Sequence, residues 1–232
     1  MEKIYEGKAK EVYTTDQADE FIIRYKDTAT AGNGEKKADI AGKGELNLAI
    51  TTAIFKMLEA HGIPTHYIET LNERDMRVKK VTILPLEVIV RNISAGSFAK
   101  RFGVDEGIVF EHPSFELSYK NDELGDPLMA EDHAIALGLV TKAEYDAIRE
   151  QTLKINELLK AFFLKINLKL VDFKIEYGKD SDGNILLADE ISPDTCRLWD
   201  KDTNQKFDKD IFRRDLGDLI EGYQEVLKRI NN

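Results

Sequence analysis

An α+β fold in two lobes is predicted from three features of the sequence. Short alternating segments suited to an antiparallel sheet occupy the first 25 residues, one long helical stripe follows, and near Leu84 the pattern changes to a fully apolar strand. The 232 residues lie between one large domain and two small ones sharing a cleft, enough to bury a sizeable core. We place the boundary at Ile83 to Pro85. This gives an N-terminal lobe of residues 1–83, an antiparallel sheet with a helix, and a larger α+β lobe of residues 84–232.

Glu2 to Glu6 and Lys10 to Thr14 alternate on either side of Gly7-Lys8-Ala9, and Phe21 to Tyr25 follows as a third strand. Asp27 to Gly44 is polar and punctuated by glycine, too long for a tight turn, and is read as a functional or mobile loop. A helix is expected from about Glu45 to Ala60, because Leu46, Ala49, Ile50, Ala53, Ile54, Met57 and Leu58 form a stripe and Gly62 suits the C-cap. Strands are expected near Thr65 to Glu69, Arg77 to Val81, Leu86 to Val90 and Phe115 to Lys120. Thr141-Lys142-Ala143-Glu144 is a capping box. It opens a long helix with Tyr145, Ile148, Thr152, Ile155, Leu158, Leu159, Phe162 and Ile166 on its apolar face, and a last helix is expected from about Lys209 to Ile230.

A hydrophobic fraction of 42% with 33% charged residues supplies enough apolar surface to offset chain entropy, so disorder is not expected. The net charge of −10 argues against a nucleic-acid binder, which needs a basic surface to neutralise phosphates. A local cluster of cations in a cleft remains compatible with a small anionic ligand. Cys196 is the only cysteine, so neither an intrachain disulfide nor a thiolate metal cluster can form. The segment Met1 to Tyr13 is charged and alternating, and no apolar run approaches the roughly 20 residues that cross a bilayer. A cytoplasmic protein without membrane contact is expected.

The sharpest chemical signal is Leu170 to Tyr177. Strict alternation puts Asp172, Lys174 and Glu176 on one strand face, at intervals of about 6.6 Å, and Phe173, Ile175 and Tyr177 on the other. The turn-forming run Gly178 to Asn184 then leads to Ile185 to Glu190 as the partner strand of a hairpin, which sets Asp189 or Glu190 beside the charged face. Carboxylates near a lysine suit Mg²⁺-nucleotide chemistry, since hard oxygens hold the ion and the ammonium meets phosphates. The same pattern also describes a solvated hairpin with weak ion pairs. Ile191 to Arg197 tips the balance toward chemistry, because a polar loop closed by an arginine fork follows directly.

Gly7-Lys8-Ala9-Lys10 reads either as a hairpin laying N–H and ammonium groups over a triphosphate or as an exposed turn. Arg91 ends an apolar strand ahead of Ala95-Gly96-Ser97, which suits a phosphate, although a pairing with Glu87 four residues back or with a neighbouring acid would explain it equally. Gly42-Lys43-Gly44 is no Walker motif, for Gly44 stands where a hydroxyl must bind Mg²⁺. His61, His66, His112 and His133 lack metal-ligand spacing and are assigned to caps and surfaces. Cys196 has no histidine near it in sequence to activate it.

Four stretches together resemble the SAICAR synthetase (phosphoribosylaminoimidazole-succinocarboxamide synthase) family. They are Tyr5 to Lys10 with Val12-Tyr13; Ile83 to Arg91 with Ala95-Gly96-Ser97; Val171 to Gly178; and Ala188 to Asp194 with Arg197 to Asp200. Their order and spacing cover nearly the whole chain. Tyr177 stands where the family pattern leads us to expect Phe, and Asn33 to Ile40 does not align residue by residue.

The resemblance implies two α+β lobes with ATP in the cleft, distantly like kinases and ATP-grasp enzymes. It also implies a single-function ligase of purine biosynthesis. ATP would phosphorylate the carboxylate of carboxyaminoimidazole ribotide, and L-aspartate would displace phosphate from that acyl phosphate. Carried over by position, Lys8, Lys10, Lys79 or Lys80, and Lys120 are the expected ATP contacts, with Glu176 and Asp189 for the nucleotide and Mg²⁺. Arg91, Ser97 and Arg197 are expected at the ribotide phosphate, and Asp172, Lys174 and Asp194 at its ribose or reacting carboxylate. Asp172, Lys174 and Glu176 are then the catalytic set, and a homo-oligomer is expected. Two other functions would use the same residues. A kinase-like phosphotransferase would turn over ATP without aspartate, and a nucleotide sensor would bind without turnover.

Overall fold

The computed structural model describes residues 1–232, the side chain of Asn33 excepted. Strands β1 (Lys3–Glu6), β2 (Lys10–Thr14) and β3 (Glu20–Tyr25) form the expected meander. The stretch read as a loop instead holds a hairpin, β4 (Thr28–Ala31) with β5 (Lys36–Asp39), in register from Thr28↔Asp39 to Ala31↔Lys36. Its strands are short and built of small or charged residues, so no apolar alternation announces them. Helix α1 (Lys43–Ala60) begins two residues earlier than expected, with Gly42 at φ 85° before it. Strands β6 (Tyr67–Thr70) and β7 (Asp75–Lys79) complete an antiparallel sheet of order β1-β2-β3-β7-β6.

The chain continues through β8 (Thr82–Ile83), β9 (Leu86–Ile93), α2 (Gly96–Phe102) and β10 (Val109–Tyr119). Next come β11 (Leu128–Met129), α3 (Glu131–Ala136), α4 (Lys142–Lys165), β12 (Leu168–Lys179), β13 (Ile185–Ala188) and β14 (Cys196–Asp200). Strand β10 starts six residues before the expected Phe115, and Arg197 lies in a strand rather than a loop. Instead of one last helix there are two, α5 (Asp210–Arg213) and α6 (Leu219–Asn231). Gly217 at φ 149° breaks the run, and the Asp218 carboxylate restarts it by accepting the N–H groups of Ile220 and Glu221.

Strand β12 is the axis of a seven-stranded antiparallel sheet. Its first half pairs with β14 and its second with β13 along one edge, while β9 and then β8 line the other. The partner change falls at Lys174, whose N–H bonds the Thr195 carbonyl at 2.9 Å. Register also shifts between Leu170 and Asp172, so that Asp172 faces Arg197. This bulge switches the parity of the core face from Leu168 and Leu170 to Phe173, Ile175 and Tyr177.

Helix α4 covers the core side of this sheet. Its capping box forms, Thr141 Oγ1 accepting from the Glu144 N–H and Glu144 Oε2 from the Thr141 N–H. Of its expected face, Leu158 and Phe162 are partly covered, and Phe163, absent from that face, is fully buried. Helix α1 packs on both β3 and α6, which buries Leu48 and Phe55 outside its expected stripe. Both sheets share one continuous core. A parallel bridge between Thr65 and Leu187 joins their edges.

Gly44, in the first turn of α1, shows how closely that helix meets β3. A Cβ there would stand 2.7 Å from the Tyr25 carbonyl oxygen and 3.0 Å from that of Lys26. These are backbone atoms that cannot rotate away. Gly44→Ala is therefore expected to lower stability by about 2 kcal/mol, an overpacking penalty, read as an earlier midpoint in chemical denaturation.

Candidate active site

The bulge in β12 decides what the cleft contains. With Phe173, Ile175 and Tyr177 held in the core at about 1% exposure, Asp172, Lys174 and Glu176 must project from the opposite face. Strand β9 contributes Glu87 and Arg91 to that face, β10 contributes Glu116, and the segment between β13 and β14 passes over it. The gap between those two strands opens beside Lys174, which is why Asp189, Glu190 and Asp194 gather there.

At one end lies a basic cavity of about 200 Å³, lined by Arg91, Ser97, Asp172, Lys174, Asp194, Arg197 and Arg213 among others. The Asp172 carboxylate accepts from Arg91 at 2.9 Å and from Arg197 at 2.8 Å. Arg91 also reaches Ser97 Oγ at 3.1 Å and Glu116 at 3.2 Å, and Arg197 reaches Asp210 at 3.0 Å. Burial disfavours the Arg197 charge, but Asp172 and Asp210 outweigh it and keep the guanidinium ionised. Gly96, at φ 52°, makes room for that guanidinium, since a Cβ there would lie 2.2 Å from it.

Asp194 closes this cavity from below. Its carboxylate takes hydrogen bonds of 2.6 Å from both Lys43, which is wholly buried, and Tyr223. Burial alone would raise its pKa, yet Lys43 and then Lys209 pull it well below the usual carboxylate range. The pair ties the start of α1 to α6 and to the segment before β14.

The other end of the cleft carries mixed charge. Lys10, from β2, meets Asp189 and, at 3.0 Å, Glu190, and Lys120 meets Glu176. Lys174 meets Glu87. Burial first, then the neighbouring Asp189 charge, push the Glu176 carboxyl up to about 7 against the pull of Lys120. Burial acts on Asp189 in the same sense, but the facing Lys10 and then Lys120 and Lys174 lower it below its ordinary value. Asp189 sits at φ 61°, a strained backbone for a residue other than glycine.

Two carboxylates held together in a poorly solvated place call for a cation. Among the described residues no three acidic, histidine or cysteine groups converge as a metal cage. That donor set fits Mg²⁺ bound in part by phosphates and water, as Mg²⁺ commonly is. Lys8, on the β1–β2 turn, reaches Asp122 across the cleft at 2.7 Å.

Six residues expected at a substrate, Arg91, Ser97, Asp172, Lys174, Asp194 and Arg197, thus line one cavity, with Lys10, Lys120, Glu176 and Asp189 beside it. Lys79 and Lys80 are exposed at the end of β7 and make no described side-chain contact with that group. Lys80 lies over the Phe21 ring, 5.4 Å from its centroid. His66 is not at the surface, as expected, but 2% exposed against Phe55 and close to Asp189. The Cys196 thiol is buried, which pushes its pKa up and leaves it inert. Glu87 could have been found by extending the alternation of β9 back from Arg91. Lys43 and Tyr223 carry no pattern that distinguishes them from surface helix residues.

The SAICAR synthetase family model matches residues 3–230. The phosphoribosylaminoimidazole-succinocarboxamide synthase of Finegoldia magna is 80% identical over 99% of both chains. Among solved structures, the enzyme of that name from Ehrlichia chaffeensis superposes with a TM-score of 0.97 at 48% identity, covering 99% of this chain and 98% of that one. A SAICAR synthetase in complex with ADP superposes with a TM-score of 0.95 at 50% identity, covering 97% and 96%.

Proposed function

Because the chain belongs to the SAICAR synthetase family, we propose that it joins L-aspartate to the carboxylate of carboxyaminoimidazole ribotide. ATP is consumed, and the products are the succinocarboxamide, ADP and phosphate. The observation that carries this reading is the division of one cleft into a basic cavity and an adjoining group of lysines and carboxylates. A ribotide and a triphosphate are both anions and need separate cationic sites.

The ribotide phosphate would bind Arg91, Arg197 and Ser97, with Asp172 holding the two guanidinium groups side by side. Asp194 would meet the ribose and Lys174 the reacting carboxylate. ATP would lie between the lobes of residues 1–83 and 84–232. Lys8 and Lys10 would cover its phosphates from the N-terminal side, Lys120 would approach from below, and Lys79 or Lys80 would meet its outer end. Glu176 and Asp189 would hold Mg²⁺, which when bound offsets the charge gathering on the transferred phosphoryl group. The protein's own contribution is positioning and charge stabilisation, with the acyl phosphate protected between the two sites until the amine arrives. We further take the protein to be a cytoplasmic homo-oligomer.

The deciding experiment is ADP release from Mg-ATP and the ribotide, with and without L-aspartate, with the product identified by mass. Aspartate-dependent ADP and a product heavier by one aspartate less water are expected. Release indifferent to aspartate would replace the ligase with a phosphotransferase. Arg197→Ala is expected to raise the ribotide KM about 30-fold, the loss of a charged hydrogen bond, while the ATP KM moves less than about threefold. Equal losses would contradict the division of the cleft. Glu176→Gln should fold normally and lower kcat by about 1000-fold, as loss of a transition-state electrostatic contact does. Turnover close to wild type in that variant would remove Glu176 from the reaction.

A further inference from the structure

We infer that Glu87 is the group that receives the ammonium of the incoming amino acid. The inference rests on the ligase reading above and deepens it by assigning part of the second substrate's site. Glu87 lies on the cleft face of β9, opposite Ser118 of β10 and one register step beyond the Ile175↔Val88 pair, which sets it beside Glu176. Its residue is only 9% exposed. Among the described residues, its one salt-bridge partner is Lys174.

That pairing sets Glu87 apart from the other acids of the cleft. Asp189 and Glu190 share Lys10, and Glu190 also accepts from Ser192 Oγ at 2.6 Å. Glu176 has Lys120, and Asp194 has Lys43 together with the Tyr223 hydroxyl. Asp172 has two arginines. Lys174, by contrast, lines the cavity assigned to the ribotide and is the cation its carboxylate would seek. Once that carboxylate draws Lys174 away, Glu87 is a largely buried charge without a counter-ion, which is unfavourable. An ammonium entering there restores the balance. On giving one proton to the Glu87 carboxylate, the nitrogen becomes an amine beside the acyl phosphate; it bonds the carbonyl carbon as the carbon–oxygen bond to phosphate breaks and phosphate leaves.

The test compares wild type with Glu87→Gln and Glu87→Asp, using L-aspartate and, separately, hydroxylamine as the amine. Hydroxylamine is uncharged at neutral pH and traps an acyl phosphate directly. Its nitrogen bonds the carbonyl carbon, the carbon–oxygen bond to phosphate breaks, and phosphate leaves with the displaced proton. In Glu87→Gln the aspartate KM is expected to rise at least about 20-fold, the scale of one charge-assisted hydrogen bond. ATP and ribotide KM values should stay within about threefold, and hydroxamate should still form. Glu87→Asp, which keeps the charge at a shorter reach, should fall between the two.

An unchanged aspartate KM overturns the assignment. So does a ribotide KM that rises as much as the aspartate KM, which would reduce Glu87 to a partner of Lys174, and so does loss of hydroxamate along with amide. Wild type separates the two readings. If it shows no aspartate-dependent ADP release, the ligase itself falls and Glu87 with it. Normal wild-type turnover beside an unaffected Glu87→Gln removes Glu87 alone.

Discussion

Two guanidinium groups repel one another, and in a partly buried cleft water screens that repulsion poorly. The Asp172 carboxylate accepts a hydrogen bond from each of Arg91 and Arg197 and so holds them side by side. Much of the local architecture serves this arrangement. The bulge at Val171 turns Asp172 to the cleft and sets it opposite Arg197, where an unbulged strand would face Cys196. Asp210 and Glu116 hold the outer edges of the two side chains. Gly96 lacks the Cβ that would occupy the space of the Arg197 fork. The two cations are thus positioned by the carboxylates and backbone of the fold itself, an arrangement suited to an anion.

Beside that site the same logic is applied to lysines. Lys10, Lys120 and Lys174 each face a carboxylate of the cleft, and none is left as a lone buried charge. Burial opposes the Lys10 ammonium, and Asp189 with Glu190 outweighs it, so the charge persists. These pairs set the charges of the cleft against one another within a chain of net charge −10. Glu176 and Asp189 lie close together, and burial first, then the Asp189 charge, raise the Glu176 carboxyl.

Much of this was legible in the sequence wherever one periodicity ran unbroken. The meander, the capped helix α4 and the two faces of β12 all follow from short-range pattern and hydrophobic burial. Three features were not, each for a local reason. The β4–β5 hairpin has only the small side chains of Ala29, Ala31 and Ala38 on its apolar face, too slight a stripe to stand out from the polar residues around it. The break between α5 and α6 comes from Gly217 and the Asp218 cap inside a run whose apolar spacing suits a single helix. The bulge in β12 leaves no mark, because Leu168 and Leu170 precede it and Phe173 follows it with apolar residues at both parities.

Within the cleft, the charged face of β12 could be read from alternation alone, whereas its partners could not. Lys43 is the clearest case. It sits at the N-terminal end of α1, where a positive charge is disfavoured by the helix dipole, and nothing in its neighbourhood of sequence marks it as buried. Only the packing of α1 on α6 brings it to Asp194, 151 residues away. That contact crosses from the N-terminal sheet's helix to the floor of the basic cavity, and Tyr223 of α6 completes it from the other side. A buried ion pair of this kind adds little net stability, because desolvation offsets much of its attraction. Its geometric effect is larger. Together with the Thr51 hydroxyl donating to the Ile191 carbonyl at 3.1 Å, it holds the segment that carries Asp189, Glu190 and Asp194 against a helix from the other sheet, through one carboxylate with three hydroxyl or ammonium neighbours.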